Sequence, residues 1–188
     1  MKVFGICGSP RMGGNSEIMI DNVLEGAREL GARVDKVILN DMKMVPCQSC
    51  EKLKDDGGCF IKDDFYGLYE EIKDADAIVL ASPVFFGSLS AQTKIMIDRF
   101  QCTWRAKYIL GVNLFHKKRR GAFISVSAGD RRDFFENSKS VVKNWFAAID
   151  CTYENELFVP GLEGKGDILK FPEYLEKARQ MGKDILSV

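Results

Sequence analysis

The sequence predicts an α/β fold in three layers: a doubly wound, five-stranded parallel sheet in the order 2-1-3-4-5, with helices on both faces. Three observations predict it. Strand-like and helix-like segments alternate along the chain, which marks βαβ units rather than hairpins. Residues 2–7 (KVFGIC), 77–81 (AIVLA) and 122–126 (AFISV) are short apolar runs without polar alternation, as strands read when both sheet faces are covered. Gly, Ser and Pro cluster just after the first two of these runs, where such a sheet carries its ligand loops.

The elements follow in order. After the first strand, a helical period starts at Ser16 and places Ile20, Val23, Leu24, Ala27 and Leu30 on one face, with Gly31 as the stop. Residues 34–39 form the second strand. Residues 40–61 are irregular and hold Cys47, Cys50, Cys59 and a Gly57-Gly58 turn. A helix over 63–74 has Phe65, Leu68, Tyr69 and Ile72 as its apolar face. The third strand, 77–81, breaks at Ser82-Pro83. One long helix is expected over 89–107, with Ile95, Met96, Phe100 and Thr103 inward. A second long loop, 108–120, leads to the fourth strand, 122–126. A helix over 134–149 and a fifth strand over 153–159 follow, and Pro160-Gly161 ends that strand. The last helix starts near Pro172, a residue suited to the first helical turn, and uses Leu175, Ala178, Met181 and Ile185. Residues 1–188 read as a single domain with a cysteine-containing loop at 40–61, and right-handed crossovers leave few alternatives to the stated strand order.

Composition narrows the function. Of 188 residues, 27 are Lys or Arg and 27 Asp or Glu, so the formal charge is zero and nothing favours nucleic acid or an anionic membrane. No apolar run approaches the roughly 18 residues of a membrane span, and the N-terminus does not read as a signal peptide. Six cysteines without a secretion signal point to a reduced, cytoplasmic protein. Cys7, Cys102 and Cys151 read as small buried hydrophobes. The single histidine, His116, excludes two-His metal sites and argues against a histidine-based triad. The run His116–Arg120 precedes the fourth strand and reads as a solvated basic loop. Trp104 and Tyr108 are assigned to the core, with a subunit interface as the alternative.

In such a sheet the ligand lies beyond the carboxyl ends of the strands, where strand order reverses. Three loops reach that place: 8–16, 82–89 and 127–133. The first, GSPRMGGNS, has glycines, hydroxyls at Ser9 and Ser16, one Arg and a helix start immediately after it. Those are the parts of an anion cradle; a glycine-rich turn capped by Asn15 or Ser16 is the plainer alternative. It is neither a Walker A loop nor a GxGxxG fingerprint. The second, SPVFFGSL, presents adjacent aromatics where a flat ring could pack, and the third, SAGD, offers small residues. Arg131 and Arg132 lie at the same edge, either against a dinucleotide phosphate or in a salt-bridged surface with Asp130 and Asp133.

The loop GSPRMGGNS, the segment SPVFFGSLSAQTKIMIDRF and the segment PCQSC…GGCFIKDDF together resemble the NADPH-dependent FMN reductase family, in particular its iron-sulfur flavoprotein branch. The resemblance covers roughly residues 1–130. It implies a flavodoxin-like fold, FMN as cofactor, NADPH or NADH as electron donor, and a homodimer or homotetramer with the flavin near a subunit interface. By matching motif it implies that Ser9, Arg11, Asn15 and Ser16 hold the FMN phosphate. Pro83, Val84, Phe85, Phe86 and Gly87 would line the isoalloxazine, with Ser127, Ala128 and Gly129 on its other flank. No side chain is assigned a catalytic role, because the cofactor carries the chemistry. The expected activity is transfer of electrons from reduced nicotinamide through FMN to a quinone, flavin, nitro compound or redox protein. The alternative is an electron-transfer protein without its own small-molecule substrate. The cysteines depart from the family pattern: that branch resembles C-x2-C-x2-C-x5-C, whereas the third position here is Leu53. One ligand of a four-cysteine cluster is thus missing, zinc meets the same shortage, and no metal is expected.

Overall fold

The computed structural model describes residues 1–50 and 58–187. In chain order the strands are β1 (Lys2–Cys7), β2 (Arg33–Ile38), β3 (Ala77–Phe85), β4 (Ser88–Leu89), β5 (Arg119–Val126) and β6 (Cys151–Val159). The helices are α1 (Asn15–Glu29), α2 (Phe65–Asp74), α3 (Ala91–Arg99), α4 (Gln101–Tyr108), α5 (Arg132–Ala148) and α6 (Pro172–Asp184). Five strands run parallel in the order β2-β1-β3-β5-β6. This is the predicted order once β4 is set aside. β4 is a two-residue strand that folds back antiparallel on the end of β3, pairing Val84 with Leu89 and Phe85 with Ser88.

The apolar runs behave as their composition demands. Every residue of β1 is buried, as is β3 up to Ser82 and all of β5 except half-buried Arg120. Side chains alternate between two cores. On one face Val3, Val79, Ala122 and Ile124 meet Met19, Ile20, Val23 and Ala27 of α1 and Ala178 and Met181 of α6. On the other, Phe4, Ile6, Ile78, Leu80 and Phe123 meet α2, Met96, and Val142, Trp145 and Phe146 of α5. α1 and α6 cross so closely that a methyl group on Gly26 would stand 1.9 Å from the Arg179 carbonyl oxygen, and one on Gly182 1.9 Å from that of Val23. Neither position accepts a side chain without separating the helices.

Four expectations are corrected. The long helix over 89–107 is two helices: Phe100 leaves the helical region with ψ 6°, and α4 restarts after it. No Gly or Pro marks this break. The change lets the Phe100 ring settle among Phe65, Tyr69 and Trp145, at centroid distances of 5.0, 5.7 and 5.6 Å. The basic run is a solvated loop only over His116–Lys118, which are exposed; β5 begins at Arg119, three residues earlier than expected, and takes in Arg119 and Arg120. Arg119 is buried, and its guanidinium donates to the carbonyls of Ile72, Lys73, Lys117 and Ile149. It thereby caps the carboxyl end of α2, where orphan carbonyls and the helix dipole favour a cation. Trp104 and Tyr108 are not core; they stand exposed with Ile109, Leu110 and Val112 at the end of α4. Cys7 and Cys151 are buried as read, but Cys102 is only partly so.

Within the 40–61 stretch, residues 51–57, including Leu53, lie outside the described residues. Its two stems are tied together. Asp64 accepts from Lys43 N–H at 2.7 Å, and Asp63 accepts from Val45 N–H at 2.9 Å. Arg99, 1% exposed at the end of α3, forks onto Asp63 at 2.6 and 3.1 Å and donates to Val45 and Ile61 carbonyls.

Candidate flavin site

A cavity of about 300 Å³ opens beyond the carboxyl ends of β1, β3 and β5, where the strand order reverses. Ser9, Arg11, Asn15 and Ser16 line it from the first loop, Pro83, Val84 and Phe85 from the second, and Ser127 and Ala128 from the third. Pro83 pairs with Val126 across the parallel β3–β5 ladder, so the second and third loops leave the sheet side by side.

The first loop is locked by α3. Ser90 caps that helix by accepting from Thr93 N–H at 3.2 Å, and its hydroxyl donates to the Gly8 carbonyl at 2.6 Å. Ser82 Oγ accepts from Ser90 N–H at 3.1 Å, which joins the first loop to the second. A methyl group on Gly8 would stand 1.8 Å from Thr93 Oγ1, so only glycine fits there. Neither Ser90 nor Thr93 was singled out from sequence. A Ser directly before a helical period was the available signal.

At the start of α1 the capping alternative fails: the N-cap position is Gly14, and no side chain caps it. Ser16 lines the cavity, and its Oγ is buried with no hydrogen-bond partner. A buried hydroxyl of this kind is costly unless something completes it. Beside it are the free first-turn N–H groups of a 15-residue helix, which favour an anion. Arg11 adds a cation, and its Nη1 donates to the Glu163 carbonyl at 2.9 Å. Glu17 accepts from Gly13 N–H at 2.7 Å and from Lys36 at 2.9 Å. Burial opposes its charge, but those bonds outweigh burial and hold its carboxyl below the usual range. Cys7, just behind the loop, is pushed up to about 11 by burial and stays a thiol. These features fit a phosphomonoester at the end of a slot whose walls fit a planar ring, which together describe FMN.

Three expected lining residues lie elsewhere. Phe86 projects wholly into solvent at 110% relative exposure, with φ 49°. Gly87 is buried under Phe134, and its carbonyl accepts from Asn137 at 2.8 Å. Gly129 is exposed beyond the rim. Turning the hairpin at Phe86 and Gly87, both with positive φ, sends Phe86 away from the cavity. Val126, Leu162 and Glu163 line it instead. The last two come from the loop after β6, where no motif drew attention. Arg131 is forked onto Asp133 at 2.9 and 2.7 Å, and Arg132 lies 3.7 Å from Glu136, so both belong to an ion-paired surface.

The sequence pattern of the NADPH-dependent FMN reductase family matches residues 1–150. The chain belongs to that family. Members are FMN-binding, NAD(P)H-dependent oxidoreductases. Similar proteins include an iron-sulfur flavoprotein of Methanosarcina thermophila, 36% identical over 145 residues, 77% of this chain and 72% of that one. An iron-sulfur flavoprotein of Methanocaldococcus jannaschii is 41% identical over 99 residues, 53% of this chain and 51% of that one. The match thus spans only about half of the second relative. The solved structure of an NAD(P)H:quinone oxidoreductase from Methanothermobacter marburgensis shares the fold, with a TM-score of 0.74 at 17% identity over 100% of this chain and 97% of that one.

The residues present fall one ligand short of the four-cysteine pattern C-x2-C-x2-C-x5-C. Leu53 stands at the third cysteine position, and Cys59 Sγ accepts from Arg99 Nη2 at 3.2 Å.

Proposed function

We propose that this protein takes electrons from NADPH or NADH and passes them to a quinone, free flavin, nitro compound or redox protein. FMN, when bound, supplies the redox chemistry by accepting a hydride and releasing electrons onward. The chain's own residues bind, orient and shield. The observation that carries the reading is Ser16 Oγ, buried without a partner at the helix start that faces the cavity. Arg11 balances the phosphate charge. Pro83, Val84 and Phe85 form one wall for the ring, and Ser127 and Ala128 the other. Phe86, Gly87 and Gly129 are left to the rim and the hairpin. Exposed Trp104, Tyr108, Ile109, Leu110 and Val112 support a homodimer or homotetramer, since that much apolar surface in one stretch marks an interaction site. Six unpaired thiols support a reducing cytoplasm. No helix among the described residues is long and apolar enough to cross a membrane. A purely electron-relaying iron-sulfur flavoprotein is the second reading, favoured by the relatives' names and weakened by Leu53 and the engaged Cys59.

The test is Arg11→Ala. A charge-assisted hydrogen bond is worth roughly 1.5–3 kcal/mol, so FMN should bind about tenfold to a hundredfold more weakly, with riboflavin little changed. Equal weakening of FMN and riboflavin would make Arg11 merely structural and remove the phosphate assignment.

The pH profile of reduction is a further expectation. No histidine or cysteine is among the lining residues, so the rate of flavin bleaching by NADPH should vary little between about pH 6 and 8, where an unperturbed histidine titrates. Anaerobic stopped-flow absorbance measures it. One ionisation near neutrality with a steep change in rate would bring a protein acid or base into the step.

A further inference from the structure

Asn15 does not spend its side chain on the cavity. Its Nδ2 donates to the Gly164 carbonyl at 2.9 Å, and its Oδ1 accepts from Ile168 N–H at 3.2 Å. Both partners belong to the loop between β6 and α6, beyond the part of the chain that the family pattern covers. The same loop is held at three further points. Leu162 N–H donates to the Ser127 carbonyl at 2.9 Å, the Glu163 carbonyl accepts from Arg11, and Asp167 accepts from Gly164 N–H at 2.6 Å. So clamped, the loop sends Leu162 and Glu163 into the cavity wall and Lys165 over the first loop. A methyl group on Gly13 would lie 3.6 Å from Lys165 Nζ.

We propose that residues 162–168 form the outer wall of the phosphate site, that Asn15 is the residue that positions this wall, and that Lys165 supplies the second positive charge to the cofactor's phosphomonoester. The inference rests on the FMN reading above and adds a binding residue to it. A phosphomonoester dianion carries nearly two negative charges, and within the first loop Arg11 alone is cationic. Glu17, next to Gly13, adds a negative charge there. A second cation balances the group. Lys165 is solvent-exposed, so its ammonium is free to turn onto an oxygen of the phosphate.

FMN and riboflavin dissociation constants, read from flavin fluorescence quenching at low and high salt, test the proposal. Lys165→Ala should weaken FMN about threefold to tenfold at low salt, with riboflavin unchanged and the salt dependence of FMN binding reduced. Asn15→Ala should weaken FMN by a similar factor. In the double variant the two losses should not add, because Lys165 has no fixed place once the wall is released. Unchanged FMN binding in Lys165→Ala, equal weakening of FMN and riboflavin, or additive losses would each overturn the inference. If the wild-type protein binds FMN no better than riboflavin, the phosphate reading itself fails. A wild-type preference for FMN that is undiminished in Lys165→Ala removes only the role of Lys165.

Discussion

Arg119→Ala is expected to lower the melting temperature by about 6–20 °C. The guanidinium serves four carbonyls, those of Ile72, Lys73, Lys117 and Ile149, and lies 4.8 Å from the Phe115 ring centroid. Removing one partner of such a buried charged network costs about 3–5 kcal/mol, and for a domain of this size each kcal/mol moves the midpoint by roughly 2–4 °C. Arg119→Lys should lose most of the same stability, since an ammonium cannot reach carbonyls on two sides at once. Calorimetry or far-UV dichroism measures both. A loss under about 2 °C for Arg119→Ala would show that water replaces the guanidinium at little cost.

Arg99→Ala should be comparably damaging, about 3–5 kcal/mol, and its signature is pH dependence. Burial works against the Asp63 carboxylate, but the Arg99 hydrogen bonds and the N–H groups of Val45 and Phe65 outweigh it and hold its carboxyl below the usual range. A carboxyl depressed in the folded state adds stability above its unfolded value, near pH 4. That contribution is lost as pH falls through the folded value. The wild-type protein should therefore lose this increment only in acid below about pH 4. With Arg99 gone, Asp63 loses its largest support and the acid limb moves to higher pH. Urea midpoints between about pH 3 and 7 for the wild type, Arg99→Ala and Asp63→Asn measure it. An acid limb that stays in place in Arg99→Ala would show that the N–H groups alone hold the carboxylate. Because Arg99 also bonds Val45, Ile61 and Cys59, its loss should loosen both stems of the cysteine loop.

The fold was legible because its signals are local. Unbroken apolar runs predicted three of the five parallel strands, the alternation of strand-like and helix-like segments placed the other two, and crossover handedness gave the order; position at the carboxyl ends of β1, β3 and β5 predicted where a ligand cleft would open. Breaks and bounds set by distant partners were not legible. Phe100 interrupts a helix to fill an aromatic cluster, and β5 starts early because a buried Arg119 meets the end of α2. Phe86 reads as a wall of the cleft by adjacency to Phe85, yet the hairpin turns it outward.

The sequence by itself determined the sheet, the loops at its reactive edge and the family resemblance, since each is written in periodicity or in contiguous motifs. Only the tertiary structure decided which side chains share the cleft. Asn15 and Gly164, or Arg11 and Glu163, are about 150 positions apart in sequence (|i−j| 149 and 152) yet meet through hydrogen bonds near 2.9 Å. No local pattern encodes such a meeting. It exists because α1 and α6 cross at Gly26 and Gly182, closely enough to bring the loop before α6 against the start of α1.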